Sequence, residues 1–490
     1  MRTAISFILV AAAAADASAS DWHVSTTGND TAAGSAAAPF RTIQRAATAA
    51  SAGDTVTVHP GTYVGFKVTK SGTASAPLTF KADGAVNIDG AATADRDAIH
   101  VESASYVVIE GFTVTGATRS GISALTSDHI TIRGNKVDRN AKWGIFTAFA
   151  DELLVENNEA SRSGSQHGIY ASNSADHPVI RNNRIWGNAM CGIHLNGDLS
   201  QGGDGVITNA VVENNIIWDN GSLGGSAING DGVENTTIRN NVLDNNHASG
   251  ISLYQIDGGR PSTGNKVINN TVRMASNARS AVNIQDGSTR NTLRNNILLN
   301  PATNKGAIDI CNACKTGMVS ESNAVVGKFI IDGNMIDLPT WRSRTGLDMT
   351  SFVAADADLF TGATDLSLKA GSMAIDKGVA TDAPATDVIG TPRPQGTAID
   401  VGAYEKCAGT CVGGDTGGGD GNGDGNGDGT GDGSGSGSGS GSDDGGPDYS
   451  GPGVDDGGGC SAGGAGSGFL LALGVFGAGA AMARRRRRYA

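Results

Sequence analysis

Along the middle of the chain, apolar and polar residues alternate with a period of two in short runs, and asparagine closes the runs. Asn135, Asn158, Asn183, Asn215, Asn241, Asn270 and Asn296 end such pieces as ITIRGN, PVIRNN and TLRNN, at steps of 23, 25, 32, 26, 29 and 26 residues. A recurring period of this size marks a solenoid. A helical repeat would space its apolar residues by three and four, whereas a spacing of two gives strands. Asparagine tolerates left-handed backbone and bonds neighbouring backbone groups. Stacked at a tight corner, these asparagines are expected to form a hydrogen-bonded ladder, with a scaffold role.

Each repeat holds a second β-prone piece, seen as WGIFTA, HGIYAS, CGIHLN, SAINGD, SGISLY, SAVNIQ and GAIDIC. Its aliphatic residues, Ile145, Ile169, Ile193, Ile228, Ile251, Val282 and Ile308, are expected to point inward. By alternation, one outward column reads Phe146, Tyr170, His194, Asn229, Ser252, Asn283 and Asp309. A second reads Ala148, Ser172, Asn196, Asp231, Tyr254, Gln285 and Cys311. Both are expected to face solvent as a polar and aromatic stripe that carries no evident Lys or Arg. His167 falls on the inward parity and reads as a structural histidine. Upstream, residues 106–124 fit one more repeat, with Phe112 in the asparagine position, and 55–59, 78–82 and 86–89 suggest earlier turns. The longest step, Asn183 to Asn215, contains the insertion 197–209, which leaves its strand directly after His194 and Asn196 and carries Asp198 and Asp204. A second excursion, 255–265, follows Tyr254. Long loops on a rigid scaffold often carry function.

Composition divides the chain into four parts. Residues 1–19 have Arg2, a short apolar run and small residues at Ala17 and Ala19, the pattern of a secretory signal. Residues 20–411 are the repeat-bearing body. Residues 412–459 are mostly Gly, Asp, Ser and Asn, with ten acids and no bases, and read as a solvated linker. Residues 460–490 hold the apolar run 468–483 and Arg484 to Arg488. The formal net charge is −13, and the body stays mildly acidic without the linker. That argues against nucleic acid, which wants a basic face. In an exported chain, the close pairs Cys311/Cys314 and Cys407/Cys411 suggest local disulfides. Cys191 reads as a small core residue.

The tail, with Gly459-Cys460 before the apolar run and the arginine block, resembles the myxobacterial C-terminal sorting tail (MYXO-CTERM type). That resemblance implies export, processing near Cys460 and anchoring at the bacterial cell surface. The body resembles a right-handed parallel β-helix of the pectin-lyase-like superfamily, an all-β solenoid of ten or more turns. The resemblance rests on the Asn/Gly-Ile repeats, the opening segment WHVSTTGNDTAAGS and the closing segment around TPRPQGTAIDVGAYE. It implies a short helix over 42–50 that caps the open end, since bare strand edges and core need covering. Lyases, hydrolases, epimerases and non-catalytic binding proteins share this fold, so fold alone does not select among them. The Asn-Thr-Asp and Asp-Asp arrangement of polygalacturonases and the Asp-Pro-His-Glu of mannuronan epimerases are absent.

A lyase on uronic acids must neutralise the carboxylate and remove the proton beside it. On that reading His194 is the base and Tyr254 a base or acid partner. Asp231 orients the histidine or holds a cation, for which Ca²⁺ is the candidate. Tyr170, Asn196, Asp198, Asn229 and Gln285 are expected to bind substrate. The expectation is a monomeric, cell-surface protein that acts on acidic polysaccharide; the alternative is a non-catalytic protein that binds glycan or matrix through the same stripe.

Overall fold

The computed structural model describes residues 19–90 and 96–407. The signal segment up to residue 18, the linker, the sorting tail and Cys411 lie outside the described residues. Among the described residues no helix is long and apolar enough to cross a membrane.

The body is a parallel β-solenoid of about 11 turns. Among the described residues it has three sheets of twelve strands each, the strands of successive turns stacked in order, and a two-stranded pair besides. In a typical turn the chain runs through the first sheet (Thr131–Arg133), turns at the asparagine, crosses the second (Lys136–Asp138) and enters the third (Trp143–Ala148). Pairing is parallel throughout the repeats, as in Ile145 with Ile169 and Ile193 with Ile228. The expected inward residues form the core: Ile145, Ile193, Ile228, Ile251, Val282 and Ile308 are fully buried. Each such side chain contributes about 1.5–3 kcal/mol of burial.

The asparagine ladder is continuous. In each rung the side-chain oxygen accepts from the backbone N–H and the Nδ2 of the asparagine one turn earlier, as Asn183 does from Asn158 at 2.9 and 3.1 Å. The series runs from Asn135 to Asn323. Phe112 N–H donates to Asn135 Oδ1 at 3.0 Å, which places Phe112 in the ladder position. The doubled asparagines have a division of labour. The first of each pair, Asn157, Asn182, Asn214, Asn240, Asn269 and Asn295, takes positive φ between 52° and 56°, a conformation asparagine tolerates better than most residues. The second makes the ladder. A further ladder, Asn188, Asn220 and Asn246, lines the corner between the second and third sheets.

The N-terminal cap is the helix Ile43–Ala49, started by Thr42, whose side chain accepts from Arg45 N–H. Its buried face, Ile43, Ala46 and Ala47, packs against strands Asp21–Val24, Thr55–Val58 and Phe66–Val68. The far end is covered by a second helix, Leu338–Thr345, whose Trp341 stacks on Phe329 and donates to Asp348 at 2.9 Å. The closing segment instead returns along the flank of the second sheet. Asn269 Nδ2 donates to Asp400 O and Gly402 O, and Val401 and Ala403 enter a second small core with Val242, Ile297 and Leu299. Cys311 and Cys314 form a disulfide.

Candidate functional site

The third sheet sets the register of the stripe. Its first outward column runs rung by rung through Lys67, His100, Ser123, Phe146, Tyr170, His194, Asn229, Ser252, Asn283 and Asp309. The second runs through Glu102, Leu125, Ala148, Ser172, Asn196, Asp231 and Tyr254. The alternation is as expected, but the exposure is not. Tyr170, His194, Asn229 and Tyr254 are 5%, 1%, 1% and 2% exposed. Part of the reason is ring packing. Rungs lie about 4.8 Å apart, close enough for rings one above another to stack and cover each other. Phe146 stacks on Tyr170 and Tyr170 on His194, at 5.5 and 5.0 Å between ring centres.

The two long loops supply more cover, and they meet. Leu199 N–H donates to Asp257 O at 2.9 Å, and Gly259 N–H to Gly205 O at 2.7 Å. The carboxylate of Asp231 fixes the second loop from below, accepting the backbone N–H groups of Ile256, Asp257 and Gly258 at 2.8, 2.8 and 3.0 Å. Those contacts hold the loop rather than His194. Burial raises the Asp231 pKa to about 6.

Around this anchor the other expected residues gather. Asn229 Nδ2 donates to Tyr254 Oη at 2.5 Å, and Asn229 Oδ1 accepts from Ser226 at 2.9 Å. Asn196 Nδ2 lies 3.2 Å from Tyr170 Oη and 3.4 Å from Asp257 Oδ2. Burial pushes both phenols up, so each keeps its proton. Asp198 caps its own short turn through Ser200. It also lies near enough to Asp257 to help burial, the larger cause, raise that carboxyl's pKa. Gln285 lies beyond Tyr254 and turns the other way, to Asn283 and Asp309 at 3.0 and 3.1 Å.

His167 is the main surprise within the cluster. It belongs with the stripe, not the core: its Nε2 lies 3.3 Å from His194 Nδ1, and its ring meets those of Tyr170 and His194 edge-on. Burial pushes the His194 pKa down to about 3 and that of His167 well down, so the pair is neutral near pH 7. Cys191 Sγ lies within 4.8 Å of both imidazoles. No described cysteine is a free thiol, so this trio does not offer a thiolate to a metal.

Sequence reading also missed the charged start of the column. Lys67 pairs with Glu102. His100 Nδ1 lies 3.0 Å from Asp97 and 2.9 Å from Ser123 Oγ, and Arg119 forks onto Asp97. Its signal was the same alternation in Ile99–Glu102, with Ile99 and Val101 inward.

The Pel9A-like, right handed beta helix region matches residues 22–269, a span that includes the whole His167 to Tyr254 cluster. The chain belongs to the Pel9A-like right-handed β-helix family. Pectate lyase PEL9 of Emericella nidulans is 40% identical to this Pel9A-like chain over 106 residues, 18% of this chain and 26% of that protein. The chain thus spans about a quarter of that curated relative's length. The crystal structure of pectate lyase Pel9A superposes with a TM-score of 0.54 at 20% identity, covering 79% of this chain and 96% of that one. An alginate lyase from Paenibacillus sp. str. FPU-7 gives a TM-score of 0.43 at 21% identity, over 54% and 93% of the two chains. At 20% identity the Pel9A-like chain shares a fold with the solved pectate lyase, and its chemistry has to be argued from its own residues.

Proposed function

We propose that this protein is a lyase-like enzyme acting on an acidic polysaccharide at the outer face of the third sheet. The observation that carries the reading is the convergence, inside the family-matched region, of His194, Asn196, Asn229 and Tyr254 beneath two interlocked loops. β-Elimination needs a base at the carbon beside the uronate carboxylate and an acid at the leaving oxygen. His194 is neutral near pH 7 and so is in the form that accepts a proton. Tyr254 holds its proton and takes a hydrogen bond from Asn229, which leaves its O–H to donate to the departing glycosidic oxygen. The C–H bond and the C–O bond break, and a C=C bond forms between the two carbons.

Asp198, Asp257 and Asn196 fit a hard cation. The two carboxyls repel each other, and Asn196 Oδ1 is buried with no hydrogen-bond partner among the described residues. Carboxylate and amide oxygens are the donors Ca²⁺ takes. Bound there, Ca²⁺ would neutralise a substrate carboxylate. Export through 1–19, surface attachment through 460–490 and a monomeric state belong to the same proposal and rest on the sequence.

A second reading, a glycan-binding protein without catalysis, is favoured by one observation: a histidine whose pKa is about 3 is a weak base. Incubating the protein with a panel of uronate polysaccharides and following the ultraviolet absorbance of unsaturated products separates the two. Product formation that is lost in His194→Ala supports the enzyme. Retained binding with no product from any polymer leaves the binding protein.

A further inference from the structure

The second sheet also carries an outward column, and it is unlike the rest of that face. Trp186, Trp218, Asp244, Arg273 and Leu299 lie in register on five successive strands. The two half-buried indoles stack along the solenoid axis, 4.8 Å between ring centres and 7° from parallel. Arg184, on the Trp186 strand, sits over Trp218 at 5.1 Å. Trp186 and Arg184 thus cover the Trp218 ring from one side. Its other side faces the next rung, where its register partner is the short side chain of Asp244. No ring or cation contact covers that side among the described residues.

Beyond Trp218 the face is not flat. The chain that leaves the last strand of the second sheet, Phe352–Val353, rises as a wall at Ala354, Ala355 and Asp356, opposite Asp244, Arg273 and Leu299, and encloses a groove of about 570 Å³. That volume lies in the range of small-ligand sites. The floor is preorganised: Arg273 forks onto both oxygens of Asp244 at 2.7 and 2.8 Å, and its third nitrogen lies 3.4 Å from Asp356. The hydrogen bond it donates to Asp244 raises the guanidinium pKa, so it stays charged.

We propose that this groove, together with the uncovered Trp218 face one rung before it, is a second glycan site and that it takes a neutral oligosaccharide. The electron-rich indole face suits the C–H face of a sugar ring. The floor offers hydroxyl groups both acceptors and donors in fixed positions. Its charge sets the class of sugar. One guanidinium stands against two carboxylates, so the groove is net negative and disfavours a uronate, whereas neutral hexoses and pentoses meet no such penalty. The site lies on a different sheet from the His194 cluster, and the inference stands whether or not that cluster is catalytic.

The test is affinity electrophoresis of the full-length protein in native gels containing galactomannan, galactan, arabinan or xylan, with polygalacturonate as the acidic control. The expected result is retardation by at least one neutral polymer. Trp218→Ala and the isosteric Asp244→Asn should each weaken it about tenfold or more, and His194→Ala should leave it unchanged. Asp244→Asn decides the matter if Trp218→Ala does not fold. No retardation by any neutral polymer, equal retardation of the variants and wild type, or retardation by polygalacturonate alone would each overturn the proposal.

Discussion

The side-chain amide of Asn229 donates to the phenol oxygen of Tyr254 at 2.5 Å, across two neighbouring rungs of the third sheet. The bond fixes the ring of a buried tyrosine whose pKa is raised by burial, leaving one polar hydrogen to aim at a ligand. Tyr254→Phe keeps the ring and its packing but removes that hydrogen. If Tyr254 is the acid, turnover of a uronate polymer should fall about 100-fold or more, with KM little changed and the thermal transition preserved. Unsaturated-product absorbance measures the first, and circular dichroism the last.

Burial depresses the His194 pKa from 6.5 to about 3. The unfolded chain therefore binds a proton on this residue at a higher pH than the folded chain does. The stability linked to neutral His194 is fully present above about pH 6.5 and is lost as pH falls towards about 3. Wild-type protein should lose more stability than His194→Gln between about pH 7 and about pH 4. Parallel losses in chemical denaturation would count against a buried, neutral imidazole.

Asp231 shows the opposite sign, since its folded pKa is raised from 3.8 to about 6. Its contribution is greatest below about 3.8 and declines as pH rises through about 6. Its chief structural consequence is local. Asp231→Ala strands the backbone N–H groups of Ile256, Asp257 and Gly258, at a cost of about 1–3 kcal/mol for a buried group left unsatisfied. Faster amide hydrogen exchange at 256–258, and earlier proteolysis within 255–265, should follow.

In the ladder, Asn215 accepts both the backbone N–H and the Nδ2 of Asn183, at 3.0 Å each. Asn215→Ala removes both bonds and should lower the melting temperature clearly, since buried donors left unmatched cost about 1–3 kcal/mol. Asn214→Gly, at φ 56°, should be tolerated, because glycine adopts that conformation freely. Thermal scans of the two variants compare the roles of the paired asparagines directly.

Much of the scaffold was legible because it repeats. The spacing of Asn158, Asn183 and Asn215 and the Gly-Ile strands fix the rung, the corner and the inward face, and a period of two leaves few other registers open. The same logic extended to Phe112 without any asparagine there. It did not reach His167, which stands outside its strand at a corner, where alternation no longer predicts direction. Nor did it find Lys67 and His100, whose turn lacks the asparagine that serves as a ruler. Asp257 was hidden for a different reason: it enters the cluster from a loop, and nothing local in QIDGG specifies where a loop lands.

The sequence by itself determined the solenoid, its ladder and the columns of side chains that share a face. These follow from local backbone preference and from contacts between neighbouring turns, which a periodic sequence encodes directly. Only the tertiary structure decided that the stripe is buried, that Asp231 anchors a loop instead of a histidine, that the closing segment returns along the second sheet, and that residues 354–356 wall a groove one rung beyond Trp218. Those outcomes depend on where non-repeating segments pack, and the free energy of such packing is shared among residues far apart in the chain.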